Sequence, residues 1–173
     1  MRNLIILFKS GTLGLILIFM LTLSVADTVF AQTTPKEAEE LWNLRQTEIE
    51  QLYQEGNLEG ALNSAQEAVT LAETAFGSGA LRTISSLLLL AQIHTELDQL
   101  EEANQIYQVT LETSVASFGE AATETLSVLD NYGKFLNAID PEMAEPVLQE
   151  ALRITTEDDP QRASRMKALG LNL

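Results

Sequence analysis

No cysteine occurs anywhere in the chain, and there is a single histidine. The missing thiols exclude a disulfide framework, a thiolate metal site, a Cys nucleophile and lipid attachment at a lipobox. With His94 alone, no His-His-carboxylate metal set can form, and a Ser-His-Asp arrangement would have to be built around that one ring. Cations are scarce too: 10 Lys and Arg stand against 25 Asp and Glu, a formal charge of −15. A surface of this sign repels phosphate backbones, so nucleic acid is not an expected partner, whereas basic peptides are favoured. The alternating Asp/Asn pattern of a calcium loop is absent.

The remaining chemical candidates are thin. Gly77-Ser78-Gly79 lacks the preceding strand and the Lys of a phosphate loop, and reads as a turn. The neighbouring carboxylates Glu39/Glu40, Glu101/Glu102 and Asp158/Asp159 point about 100° apart on a helix, so they cannot share one proton or one ion. They read as surface charge and cap chemistry. The expectation is a non-enzyme without cofactor or metal. A hydrolase centred on His94 is the catalytic alternative, and a packed, hydrogen-bonded histidine is the plainer reading.

What the chain does have is a pattern written twice. Leu58, Glu59, Ala61, Gln66, Phe76, Gly77, Ala80, Thr83, Ser85 and Leu87 recur 42 residues later as Leu100, Glu101, Ala103, Gln108, Phe118, Gly119, Ala122, Thr125, Ser127 and Leu129. A fixed period of this size is the signature of a solenoid, in which each unit buries its apolar face only against its neighbours. Within a unit, Ile84, Leu87, Leu88, Ala91 and His94 fall on one helical face, Asp98-Gln99 breaks the pattern, and Leu100, Ala103, Tyr107 and Leu111 resume it. That predicts a helix, a tight turn and a helix. Small residues stand where two axes must approach closely: Ala61, Ala65 and Ala68, then Ala91 and Ala103, then Gly133, Ala144 and Ala151.

Start and stop signals divide the chain. Thr34, Pro35 and Glu37 make a capping box with proline in the first turn, opening a helix that runs to Gln54. Gly56-Asn57 ends it and residues 58–75 form its partner. The second pair spans 80–97 and 100–117, with Asp98 and Glu101 as a further capping box. The third spans 120–138 and 141–156, capped by Asp140 before Pro141, across a turn one residue shorter than the others. Pro160 starts a last amphipathic segment, with Ala163, Met166 and Leu169, that stops at Gly170; a solenoid end needs such a cover. A docking peptide for a partner is its other reading.

Ahead of this array, Arg2 and Lys9 precede the uncharged run 10–26, with the small-residue sites Ser24-Val25-Ala26 and Val29-Phe30-Ala31. This is the layout of a secretory signal peptide, expected to be cut after Ala31, or after Ala26, to give an exported chain in the periplasm or the medium. The competing reading is an uncleaved anchor holding the chain to a membrane by residues 10–26. Removal of residues 1–31 takes away Arg2, Lys9 and Asp27, leaving 8 basic and 24 acidic side chains and a charge of −16.

The repeated segments resemble the tetratricopeptide repeat. "LYQEGNLEGALNSAQEAVTL" (52–71) carries Gly56, Leu58, Ala61 and Ala68 at the family's offsets; "LLLLAQIHTELDQLEEANQIYQVTLE" (87–112) repeats them with Ala91, Leu100 and Ala103; "LDNYGKFLNAIDPEMAEPVLQEALRI" (129–154) gives Gly133, Ala144, Leu148 and Ala151. A 42-residue period with "FG" after the second helix is similar to the kinesin-light-chain variety. The resemblance implies an all-α fold, a right-handed α-solenoid of about three helix-turn-helix repeats (36–77, 80–119, 120–156, within an array of 32–157) and a short C-terminal capping helix in 158–173. Phe76 would be a buried plug and Gly77 a turn residue.

The resemblance also implies a concave groove, lined by the first helix of each pair, that takes a protein or peptide. Its inward positions are Asn43, Gln46, Glu50 and Tyr53 in the first unit, Ser85, Leu88, Gln92 and Thr95 in the second, and Asp130, Asn131, Lys134 and Asn137 in the third. Amides and hydroxyls with few charges suit hydrogen bonding to an extended peptide backbone. The expected role is a scaffold or adaptor without enzymatic activity. A structural protein that self-associates by stacking its end helices is the alternative.

Overall fold

The computed structural model describes residues 34–171. The expected signal peptide or anchor of residues 1–31 lies outside the described residues. These hold seven helices and no strand: α1 (Pro35–Gln54), α2 (Leu58–Phe76), α3 (Leu81–Glu96), α4 (Leu100–Phe118), α5 (Thr123–Ile139), α6 (Pro141–Ile154) and α7 (Arg162–Ala168). No helix among them is long and apolar enough to cross a membrane. The fold is an all-α solenoid.

In the short N-terminal piece up to Ala38, the expected capping box is formed. The Thr34 amide donates to Glu37 Oε2 at 2.8 Å, and the Glu37 amide donates to Thr34 Oγ1 at 3.3 Å. Two of the orphan donors at the start of α1 are thus satisfied reciprocally, and Pro35 brings none.

From Glu39 onward the helices pack in chain order. Ile49 of α1 meets Ala61, Ala65 and Ala68 of α2 and Leu90 and Ile93 of α3 in one apolar cluster. A second cluster joins Ala91, Ala103, Tyr107, Tyr132, Phe135, Leu136, Ala144 and Leu148, from α3 through α6. Its aromatic centre is a trio, with Tyr107 and Tyr132 stacked at 5.5 Å and Phe135 5.0 Å from Tyr107. All the alanines singled out for close approach are buried, because a larger side chain would push the axes apart. Gly133 sits tightest: a Cβ added there would stand 2.6 Å from Leu148 Cδ2.

Two identical joints connect the pairs. Gly77 and Gly119 take φ of 95° and 93°, a left-handed backbone that L-residues avoid. In each joint a threonine six residues on, Thr83 or Thr125, donates its hydroxyl to that glycine's carbonyl at 2.8 Å. Ala80 and Ala122, in extended conformation, then start α3 and α5. Because a turn from Gly119 to Ala122 comes first, α5 begins at Thr123 instead of the expected 120. Phe76 is half-buried with the Arg82 guanidinium 4.8 Å from its ring centre, so it is a platform for a cation and not a plug.

The turns inside the pairs hold two corrections. Asp98 does not cap α4; it adopts φ 59°, matching Gly56 at φ 74° in the first pair. Gln99 takes the cap position and makes no side-chain cap bond. A turn of this shape needs one left-handed residue, which an aspartate tolerates, and that places its carboxylate one residue too early. In the third pair, Asp140 alone separates α5 from α6, where the other pairs use three residues. It is extended, and its Oδ1 accepts the Glu142 amide at 2.9 Å.

The last described helix is α7, whose preceding turn is held by Asp159 Oδ1 accepting the Gln161 amide at 2.7 Å. Gly170, at φ 68°, stops it. α7 packs on α6 and reaches α5 through Arg165, whose guanidinium meets the Asp130 carboxylate with two bonds of 2.6 Å. Arg165 is 4% exposed and also donates to Thr155 Oγ1 at 2.7 Å and to Asp159 at 3.1 Å. The first helices of the pairs, with α7 after them, therefore form one row, and the second helices form another.

Candidate functional site

The twelve expected groove residues lie on α1, α3 and α5, the first helices of the three pairs. Contacts join successive members of this row. Trp42 Nε1 of α1 donates to Ser86 Oγ of α3 at 2.9 Å, and Arg82 of α3 pairs with Glu39 while standing 5.7 Å from the Trp42 ring centre. α3 touches α5 directly, and Asp130 joins α5 to α7.

At the α1–α3 step, Tyr53, Gln92 and Glu96 come within hydrogen-bonding reach, with Glu50 close by. Burial of the Tyr53 ring, followed by the charge and hydrogen bond of Glu96, pushes its phenol above the ordinary tyrosine range. Glu50 accepts from Gln54 Nε2 at 2.5 Å and stays exposed. The neutral phenol acts as donor beside two carboxylates and an amide. Asn43, two turns earlier on α1, is exposed. Gln46 is half-buried and turns its amide Nε2 inward, where it has no partner among the described residues.

In the middle of the row, Ser85 is half-buried, and Leu88 packs against the second apolar cluster. Thr95 Oγ1 donates to the Ala91 carbonyl at 2.9 Å and lies within hydrogen-bonding reach of Tyr107, whose phenol is pushed up by burial. Gln92 is exposed.

At the α5 end, Asp130, Asn131 and Lys134 line a pocket of about 510 Å³ with Leu126, Gln161 and Arg165. Asp130 is occupied by Arg165, so its carboxylate works within the fold. Asn131 Nδ2 donates to the Ser127 carbonyl at 2.7 Å. Lys134 and Asn137 are exposed. The structure thus brings Glu50, Tyr53 and Gln92 together at one step and Asp130, Asn131 and Lys134 at another. Glu96, Ser127 and Arg165 are neighbours that the sequence reading does not assign to the groove. Ser127 stands 42 residues after Ser85 and was within reach of the period; Glu96 and Arg165 carry no repeat signal.

His94 is buried, with Nδ1 2.6 Å from Gln99 Oε1. No group of three or more metal-ligating side chains occurs among the described residues.

The α3–α4 pair with its joint is the decisive segment, because residues 83–121 match the family model described as tetratricopeptide repeat. Over those residues the chain is similar to a tetratricopeptide repeat. No curated protein sequence matches it. Among solved structures, the crystal structure of BtubC (BKLC) from P. vanneervenii is similar, with a TM-score of 0.67 at 22% identity. The match covers 79% of this chain and 56% of that one, so the chain spans little more than half the length of that relative. At this identity the likeness is one of fold. Tetratricopeptide repeats generally mediate protein-protein interaction, and a solenoid of such pairs offers surface instead of a closed cavity for chemistry.

Proposed function

We propose that this chain is an exported, non-enzymatic interaction module that holds a protein or peptide segment along the flank of α1, α3 and α5. The observation that carries the reading is the cluster of Glu50, Tyr53, Gln92 and Glu96. It sets two carboxylates, a raised phenol and an amide side by side on otherwise regular helices. Such a set is suited to the backbone and basic side chains of an extended peptide, in keeping with the chain's charge of −15. A three-pair array offers a modest footprint, for which a Kd in the micromolar range, about −8 kcal/mol, is expected. Export rests on the leader pattern of residues 1–31, and predicts that the purified native chain starts at Gln32.

The test is affinity capture from the native envelope fraction with residues 32–173, beside a variant carrying Tyr53→Ala, Gln92→Ala and Asn131→Ala. A protein held by the first and lost by the equally helical second supports the groove. Equal retention by both moves the contact to another face and ends this reading.

A further inference from the structure

α7 is held on the array mainly by one ion. Of its residues only Arg165 is buried; Ala163, Ser164, Lys167 and Ala168 are exposed, and Met166 is half-buried. Leu169, just beyond it, adds a half-buried contact with the second apolar cluster. A surface helix ordinarily lays an apolar stripe on its neighbour. Here a guanidinium takes that place, and the attraction in a buried ion pair is largely cancelled by the cost of desolvating both charges. A helix this short adds almost no stability of its own. Such a segment opens at a smaller free-energy cost than the core helices beneath it.

The other partner in this contact is a groove position. Asp130 stands 42 residues after Leu88, on the first helix of its pair. Of the twelve expected groove residues it alone belongs to an ion pair among the described residues. Arg165 Nε and Nη2 take its two oxygens in parallel, the geometry with which any arginine grips a carboxylate. Ser127, Asn131 and Lys134 border the same open pocket of about 510 Å³, so a chain lying along α5 has room beside the guanidinium.

We propose that α7 is an internal stand-in for a partner's arginine: Arg165 occupies Asp130 until an arginine-bearing segment of the partner displaces it, and α7 then leaves the end of the row. The inference rests on the groove reading above and supplies its regulation. One carboxylate accepts one bidentate guanidinium, so the two occupants exclude each other. The tethered occupant acts at an effective concentration of about millimolar. A partner has to outcompete it, and its apparent affinity is scaled down by the small fraction of chains in which α7 is undocked. The chain's charge of −15 draws a basic segment toward this carboxylate.

The probe is a synthetic peptide of residues 158–173, labelled at its N-terminus and titrated into the full chain and two full-length variants, with binding read by fluorescence anisotropy. Arg165→Met and Asp130→Asn both break the pair, and both should detach α7, seen as lost exchange protection over residues 162–169. Only Arg165→Met keeps the acceptor. It should bind the peptide about tenfold more tightly than the wild-type chain, whose site is already occupied, and Asp130→Asn should bind it no better than wild type. The peptide carrying Arg165→Lys should bind the Arg165→Met chain about tenfold more weakly, because an ammonium cannot make two parallel bonds. Equal binding by the two variants, equal binding of the two peptides, or no gain of Arg165→Met over wild type overturns the proposal, as does the absence of binding to Arg165→Met at millimolar peptide.

None of these chains alters Tyr53, Gln92 or Asn131, so a failure here is distinct from a failure of the capture test. Where that test succeeds, Arg165→Met should retain more of the captured protein than wild type. Equal retention would overturn the gating while leaving the groove in place.

Discussion

Arg165 grips Asp130 from 35 residues away, Nε to Oδ1 and Nη2 to Oδ2, both at 2.6 Å. Two parallel bonds between planar groups fix both distance and orientation, so a helix of seven residues is seated by one side chain. Such a helix is far too short to hold its own conformation in water. Replacing Arg165 with Met keeps much of the packing but strands the Asp130 carboxylate, whose side chain is only 16% exposed. A cost of about 3 kcal/mol is expected. Hydrogen exchange should show residues 162–169 losing protection while the amides of α3 and α4 keep theirs.

The two joints make a paired prediction. Thr83→Val and Thr125→Val each remove a hydroxyl from a glycine carbonyl while keeping the side chain's shape. Thr83→Val should cost about 1 kcal/mol. Thr125→Val should cost more, about 2 kcal/mol, because Thr125 Oγ1 also bonds the buried Ser114 hydroxyl at 3.1 Å. Urea denaturation of the two single variants and the double variant checks both the order and the additivity expected of sites so far apart. Equal effects would remove Ser114 from the account.

Gly133 sets up a contest between two known effects. Alanine is favoured over glycine inside a helix by about 0.5–1 kcal/mol. Here its methyl would overlap Leu148, which is 4% exposed and has little room to retreat. Overpacking costs about 1–3 kcal/mol, so Gly133→Ala should be less stable than wild type despite its helix preference, and Gly133→Leu much less so. A rise in the melting temperature of Gly133→Ala would show that α5 and α6 part more easily than their packing implies.

Acid should loosen the C-terminal region first. The Gln161 amide, and then Arg165, hold the Asp159 carboxyl below its ordinary range. Hydrogen bonding from Arg153 does the same for Glu150, and that arginine is held charged in return. A lowered carboxylate pKa stabilises the fold at pH above the unfolded value, and the contribution is lost as pH falls through the folded value, so the window opens below about pH 4. Exchange protection of α7 should then disappear before that of α3 and α4. Simultaneous loss would mean that these carboxylates do not govern the end of the array.

Much of this fold was legible because it is local and repeated. The 42-residue period, the Thr34 capping box, Asp140 before Pro141 and the small residues at crossings are all matters of spacing along one chain. Asp98 misled because the same residue type serves as a helix cap and as a left-handed turn residue, and only the turn length decides between them. The candidate site was less legible. Periodicity says which face of a helix points inward, but not what covers it. Asp130 has the offset of a groove residue, one period after Leu88, and is claimed by an arginine on a helix that the period does not include. Glu96 reaches Tyr53 across two helices, a relation that no spacing expresses.

The joint built from Gly77 with Thr83, and built again from Gly119 with Thr125, acts as a standard of length. Each copy starts its next helix from the same backbone angles, so the step between units is set locally and needs no instruction from either end. A duplicated stretch of 42 residues would carry its own joint and extend the row by one whole unit. An insertion between a glycine and its threonine would remove that bond, and the array would break at that point instead of growing.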